Sequence, residues 1–348
     1  MLIAFFVNDM EREHPNYTTT VLAFAAVQRG HRVCYLTPSD FALRDDDTLS
    51  VHARFAPTTK SRTHETFFAA MANVVDVTET IDVAEIDVLM LRSDPSLDSQ
   101  AMPWAADIGI LFGREAAKRG VLVVNDPDSL GRAINKLYFQ SFPEEVRAET
   151  LITRKADDVK AFAKAHKGNI ILKPLQGSGG SGVFKLDGKS KSNLNQMIEA
   201  IERDGYIIAQ AYVPAAAHGD IRMFLMNGRP LMIGDKYAAL RRVASKDDIR
   251  SNIHAGGSAE AVTIGKTELK VAELIRPKLI ADGMFLVGID IVGDKILEVN
   301  VFSPGNLQRC SLLAGVNFAV PVLESIERKL EIAKDFSGGF NNRELASL

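Results

Sequence analysis

Hydrophobic and polar positions along the chain change period several times, and each change marks an element. Residues 2–7 are an unbroken apolar run of strand length. Residues 18–29 repeat apolar side chains at helical spacing behind a row of threonines and stop at Gly30. Residues 32–36 and 87–91 return to strand character, 107–119 read as a helix closed by Gly120, and 121–125 as a further strand. Such alternation predicts a layer of parallel βα units. Residues 44–62 have weak periodicity and are expected to be irregular. Asp126-Pro-Asp-Ser129 breaks the chain and can cap a helix over 130–142.

A compact unit follows: strand 149–154, helix 157–167, strand–loop–strand 169–186 and helix 192–203. The last unit starts with a strand at 206–213. Asn227-Gly228 between two apolar runs signals a hairpin. Residues 237–258 are polar and long for a loop in a compact domain, which usually means function. Helix 267–281, a second hairpin over 285–301 and helix 316–332 complete the pattern, and the polar end is expected to fray. The expected class is α/β and α+β, in units 1–125, 126–205 and 206–335 with a tail at 336–348.

Composition narrows the function. The 348 residues are 46% hydrophobic and carry a net charge of −3 without a long basic block, so nucleic acid and membrane surfaces are not expected partners. The two cysteines, Cys34 and Cys310, form no ligand cluster, and the first apolar run is too short for a signal peptide, so a reduced, cytoplasmic setting is expected.

Asn169-Ile-Ile-Leu-Lys173-Pro-Leu-Gln-Gly177-Ser-Gly-Gly-Ser-Gly182 is the first chemical signal. A dinucleotide-type glycine run must open a helix, and Val183–Leu186 is strand-like instead; the lysine of a Walker loop is missing. What remains is a β-loop-β flap whose N–H groups can close over phosphates, with Lys173 as a point charge. Ser178 and Ser181 have no visible base partner, and the histidines show no ligand spacing.

The second signal is the hairpin carrying Asp290, Glu298 and Asn300. A two-residue turn would pair Val292 with Lys295 and separate Asp290 from Glu298. A three-residue loop pairs Val292 with Ile296, sets Asp290 across from Glu298, and gathers Val287, Ile289, Ile291, Leu297, Val299 and Val301 on one apolar face. Burying that face selects the three-residue loop. Asp290, Glu298 and Asn300 then share a face suited to magnesium, although a solvated polar face has the same pattern. Asp220 and Arg222 alternate along one strand face, where they can meet a ribose hydroxyl and an anion or pair on the surface.

These segments together resemble the ATP-grasp superfamily, above all the bacterial glutathione synthetase type. The resemblance rests on Arg92-Ser-Asp94-Pro95, Val124-Asn125-Asp-Pro127, Asn135-Lys136-Leu137, residues 149–154, Leu172-Lys173-Pro174, Ala209-Gln210-Ala-Tyr212-Val213-Pro214, Gly219-Asp220-Ile-Arg222, Gly288-Ile-Asp290 and Glu298-Val-Asn300-Val-Phe-Ser303-Pro304, all in family order. It implies an ATP-grasp fold behind an N-terminal parallel-sheet domain, and ligation of a carboxylate to an amine through an acyl phosphate. Lys136, Lys173 and the flap glycines and serine (Gly177, Ser178, Gly179, Gly180) would hold phosphates, Gln210, Tyr212 and Val213 the adenine, and Asp220 the ribose. Asp290, Glu298 and Asn300 would hold two Mg2+ ions, or Mn2+. Arg222 and Arg250 would stabilise the transferring group, and Arg92, Asp94, Asn252, Ser303 and Pro304 would meet the substrates. A homodimer or homotetramer is implied.

The chain departs from that pattern after Asn300-Val301. The family has a small hydroxyl residue and then Ser-Pro-Thr-Cys; here Phe302-Ser303-Pro304-Gly305-Asn306 stands. The loop over 241–251 is also longer and lacks the paired glycines. The expected reaction joins γ-glutamylcysteine to glycine. A ligase for another γ-glutamyl or amino-acid substrate, or an ATP-binding protein without turnover, are the alternatives.

Overall fold

The computed structural model describes residues 1–57, 61–74, 76–177, 182–188, 193–243 and 257–348, with backbone alone at 99–101. Its first sheet contains β1 (Leu2–Phe6), β2 (Arg32–Leu36), β3 (Phe41–Leu43), β4 (Leu49–Phe55), β5 (Glu79–Asp82), β6 (Val88–Leu91) and β7 (Leu122–Val124). The order is β3-β4-β2-β1-β6-β7 with β5 on β4, and β2, β1, β6 and β7 run parallel. Both faces of β1 are covered, which is why it reads as a continuous apolar run. Leu2, Ala4 and Phe6 enter one core with Ile110 of helix Ile108–Lys118, while Ile3, Phe5 and Val7 enter another with Leu22 of helix Thr18–Gln28.

A four-stranded antiparallel sheet follows, built from β8 (Thr150–Thr153), β9 (Ile170–Pro174), β10 (Phe184–Leu186) and β11 (Ile207–Ala211) in the order β10-β9-β11-β8. With helices Ala156–Ala165 and Leu194–Glu202 it encloses its own core, including Val159, Ile170, Leu172, Ile198 and Ile207. The strand at 207–211, expected to open the last unit, belongs to this sheet, so the sheet boundary falls after Ala211.

The third sheet holds β12 (Asp220–Met226), β13 (Arg229–Pro230), β16 (Ala239–Val243), β17 (Ser258–Glu260), β18 (Leu286–Val292) and β19 (Lys295–Asn300), with β14 (Met232–Ile233) and β15 (Lys236–Tyr237) as a separate ribbon. Its order is β17-β16-β12-β18-β19, with β13 on β12. Met223, Val287, Ile289 and Ile296 share a core with Leu2 and Phe6, so the first and last units are packed as one body. Asn125 ties them together. Its amide accepts from the N–H groups of Phe285 (2.7 Å) and Leu286 (2.9 Å) and donates to the carbonyls of Leu286 (3.2 Å) and Val301 (2.5 Å).

Four expectations need correction. Residues 49–55 form β4, because β2, β3 and β5 supply pairing partners that local periodicity does not reveal. The helix expected over 130–142 splits into Pro127–Arg132 and a 3-10 stretch Lys136–Ser141, where Asn135 accepts from Leu137 N–H and restarts the turn. Residues 239–243 are strand rather than loop. The tail does not fray: helix Asn342–Ser347 is docked, with Asn342 accepting from Val123 N–H and donating to Val123 O, and Lys329 donating to Leu345 O.

Candidate active site

The hairpin β18–β19 pairs Asp290 with Glu298 as expected, but by another route. The turn is the two-residue Gly293-Asp294, pairing Val292 with Lys295, and Gly293 takes φ +59. A bulge then inserts Leu297, so that Ile291 faces Ile296 and Asp290 still meets Glu298. Ile296 takes the buried apolar position foreseen for Leu297, and Leu297 lines a cleft instead.

That cleft lies between the four-stranded lobe and the body. Lys173, Gln210 and Gly177 line it from the lobe side, Lys136 from the connecting segment, Glu298, Asn300 and Ser303 from the body, and Asp94 from the N-terminal unit. Lys136 Nζ donates to Gly177 O at 2.5 Å, and its main-chain N–H to Leu175 O at 3.1 Å, which fixes the lysine to the base of the flap. Lys173 Nζ donates to Gln210 Oε1 at 3.1 Å, and Gln210 in turn donates to Thr150 Oγ1.

Electrostatics of the cleft is unequal. Burial pushes the Lys173 ammonium down to about 8, with Glu298 opposing and Lys136 adding to the shift. Lys136 is lowered by burial too, against Glu298 and Asp94. Glu298 is raised by burial and by Asp290, against Lys136, Arg222 and Lys173, and it accepts no hydrogen bond among the described residues. A carboxylate in this position gains from any added cation.

Behind the cleft runs a buried charge row across β16, β12 and β18. Arg242 faces Asp220, and Arg222 faces Asp290. The Arg222 guanidinium is bidentate on Asp290, at 2.5 and 2.9 Å, and Arg242 donates to Asp220 and reaches Asp290 at 2.7 Å. Burial raises Asp290, but the two guanidiniums outweigh it and hold the carboxyl below the usual range. Gly219, at φ +85, makes this row possible: a Cβ there would lie 2.0 Å from Arg242 O. Arg242 escaped the sequence reading because its strand was taken for loop. Its only signal was two arginines inside a short run with apolar ends.

Asp220 and Arg222 are therefore buried at the two ends of one ion-pair row, linked through Arg242 and Asp290, rather than exposed together in the cleft. Tyr212 follows β11 beneath Lys185, whose Nζ lies 3.8 Å from the ring centroid, with Val213 next to it; neither lines the cleft. Arg92 is buried and donates to Pro304 O (3.1 Å) and Thr19 Oγ1 (3.3 Å), fixing the segment after β19. Ser178, Gly179, Gly180, Arg250 and Asn252 lie outside the described residues.

Glu298 and Asn300 line the cleft and suit a hard divalent cation, whereas Asp290, expected beside them, is buried behind them against Arg222 and Arg242 and does not line the cleft. Among the described residues, Asp290 keeps one of its four lone-pair sites free of N–H donors and the Glu298 carboxylate accepts no hydrogen bond. When bound, such an ion screens the phosphate oxygens and polarises the transferred phosphoryl group.

A three-part chain with a self-contained antiparallel lobe, two cleft lysines and a carboxylate hairpin has the architecture of an ATP-grasp ligase. Solved structures agree on the fold: D-cycloserine synthetase DcsG aligns with a TM-score of 0.62 at 13% identity over 93% of this chain and 99% of that one. ATP-grasp ligase PsnB, complexed with minimal precursor, aligns with a TM-score of 0.58 at 17% identity over 93% and 98%. Two family models match in sequence, prokaryotic glutathione synthetase N-terminal domain over residues 1–131 and its ATP-grasp domain over 135–314. Among curated relatives, glutathione synthetase of Brucella melitensis is 33% identical over 90% of this chain and 93% of its own length, and that of Vibrio vulnificus 34% over 73% and 76%. The chain belongs to the prokaryotic glutathione synthetase family and is an ATP-grasp ligase of that type. No helix among the described residues is long and apolar enough to cross a membrane.

Proposed function

We propose that the protein joins the carboxylate of a γ-glutamyl dipeptide, with γ-glutamylcysteine as the reference substrate, to the amine of glycine or a similar acceptor. ATP is converted to ADP and phosphate. The observation that carries this reading is Lys136 and Lys173 lining one cleft with the carboxylate of Glu298, which accepts no hydrogen bond among the described residues.

In this reading the lysines hold the β- and γ-phosphates of ATP, and two Mg2+ ions bind at Asp290, Glu298 and Asn300. The substrate carboxylate attacks the γ-phosphorus in line, and ADP leaves. The acceptor amine then attacks the acyl carbon, phosphate departs, and the amine loses a proton to solvent. Positioning and charge neutralisation supply the rate. Gln210, which lines the cleft, is assigned to adenine; Tyr212 and Val213 share that assignment only if the chain after β11 turns into the cleft, and Asp220 is assigned to ribose, which requires it to exchange Arg242 for a hydroxyl. Three units as expected, with the second boundary moved past Ala211, a cytoplasmic setting and a homodimer or homotetramer belong to the same proposal. Phosphate release assayed with ATP, magnesium, γ-glutamylcysteine and glycine, each omitted in turn, tests it. Release that needs all four, with a tripeptide by mass, is the expected result. ATP hydrolysis indifferent to the dipeptide would refute it.

A further inference from the structure

Three hydrogen bonds in the lobe run in one direction, and that direction fixes the polarity of the cleft wall. Lys173 Nζ donates to Gln210 Oε1 at 3.1 Å, Gln210 Nε2 to Thr150 Oγ1 at 3.2 Å, and Thr150 Oγ1 to Ala148 O at 2.8 Å. Neither end of the series can be reversed. An ammonium only donates, so the amide gives Lys173 its oxygen. A main-chain carbonyl only accepts, so the single hydroxyl proton points at Ala148 and the Thr150 oxygen accepts from the amide nitrogen. The two constraints meet at Gln210 and agree on which way its amide faces. Thr150 and Gln210 are register partners across β8 and β11, so the sheet itself sets the hydroxyl beside the amide. Among the described residues no other acceptor meets that nitrogen.

Gln210 is 3% exposed and lines the cleft with Lys173 and Thr150. Its Oε1 has two lone-pair sites, of which Lys173 takes one. The other is an acceptor for a base entering the cleft. Adenine carries an exocyclic amino donor at C6, whereas an oxo-purine carries an acceptor there.

The geometry points to Thr150 as a positioning residue: through Gln210 it presents the cleft with an acceptor, and so favours a nucleotide with an amino purine over one with an oxo purine. This rests on the proposed assignment of Gln210 to adenine. Without the hydroxyl the amide nitrogen is buried and unpartnered. Turned over, the amide sets N–H groups against the Lys173 ammonium and toward the base, where they suit an oxo group instead. One such hydrogen bond exchanged for an acceptor facing an acceptor is worth about tenfold in Kd.

The test titrates the full-length protein with MgATP and with MgITP by calorimetry. The wild type is expected to bind MgATP about tenfold tighter or more. Thr150→Val keeps the β-branched shape that a strand accepts, at a half-buried position. It should weaken MgATP by about tenfold and bring the ratio toward one. Thr150→Ser, which keeps the hydroxyl, should restore both. In a Gln210→Met background, adding Thr150→Val should change neither constant, because the residue acts through the amide. A wild-type ratio below two, equal weakening of both nucleotides in Thr150→Val, no rescue by serine, or the full loss persisting in the Gln210→Met background each overturns the inference while leaving the ligase reading intact. Failure of the wild type to bind either nucleotide overturns the reading itself.

Discussion

Replacing Asn125 by alanine is the sharpest structural test, because one side chain makes four hydrogen bonds between the two halves of the body. The amide uses its whole capacity: two acceptor sites for Phe285 and Leu286 N–H, and two donors for Leu286 and Val301 O. The residue is 5% exposed, so water does not replace these bonds without opening the interface. Each buried donor left unpaired costs about 1–3 kcal/mol, and the carbonyls, with second lone pairs, cost less. Asn125→Ala should therefore lose about 4 kcal/mol. At roughly 2 °C per kcal/mol for a chain of this size, melting should fall by about 8 °C. Denaturant unfolding measures the loss directly. Asn125→Asp separates packing from hydrogen bonding: it keeps both acceptors but sets a carboxylate against Val301 O, so it should be as damaging at pH 7 and partly recover near pH 4–5 as the carboxyl gains a proton. A loss under 1 kcal/mol for the alanine variant would show that the amide is not what joins the halves.

Other outcomes follow from the cleft. Glu298→Gln removes a carboxylate that burial and Asp290 already disfavour; melting should hold or rise, while Mn2+ binding weakens and dipeptide-dependent ADP release falls by about 100-fold or more. Unchanged turnover would sink the cation assignment. Lys173, lowered to about 8, is protonated below that pH, so its attraction for phosphate is complete near pH 6–7 and fades as pH rises through 8. ATP affinity should weaken by up to about tenfold at pH 9, and Lys173→Met should abolish that slope. A wild-type profile flat from pH 7 to 9 would count against the phosphate role. Arg242→Met strips Asp220 of its guanidinium partner in a buried row and should cost about 3–5 kcal/mol in denaturant unfolding. A variant as stable as the wild type would mean that water compensates the row.

The legible parts of the fold were those written in local pattern. The continuous apolar run of β1, the glycine-closed helices and the two hairpins follow from period and turn chemistry. The missed parts needed partners distant in sequence. β4 exists because three strands pair with it, and the Asn342–Ser347 helix is ordered because Asn342 completes the main-chain bonds of Val123. Asp290 and Glu298 were brought together correctly from the need to bury one apolar face. The device was wrong, since a bulge at Leu297 is invisible to a rule that counts only loop residues. Arg242 was hidden for the opposite reason: charged residues on a strand read as loop until facing carboxylates are known.

The division of cores bears on how the chemistry is assembled. Lys173 and Gln210 stand on a lobe whose core is its own, while Glu298 and Asn300 stand on a sheet whose core is continuous with the N-terminal unit. The bonds of Lys136 to Leu175 and Gly177 reach across this division at the base of the flap. Lys173 thus belongs to the lobe, whereas Lys136 sits on a segment whose Tyr138 and Phe139 pack in the body core, on the same side as Glu298 and Asn300. Burial strains both sets in the direction that a bound polyphosphate with its metal ion would relieve, by giving the lysines negative partners and Glu298 a positive one. Under the proposed function, one set of contacts with the nucleotide would neutralise both sides of the cleft at once.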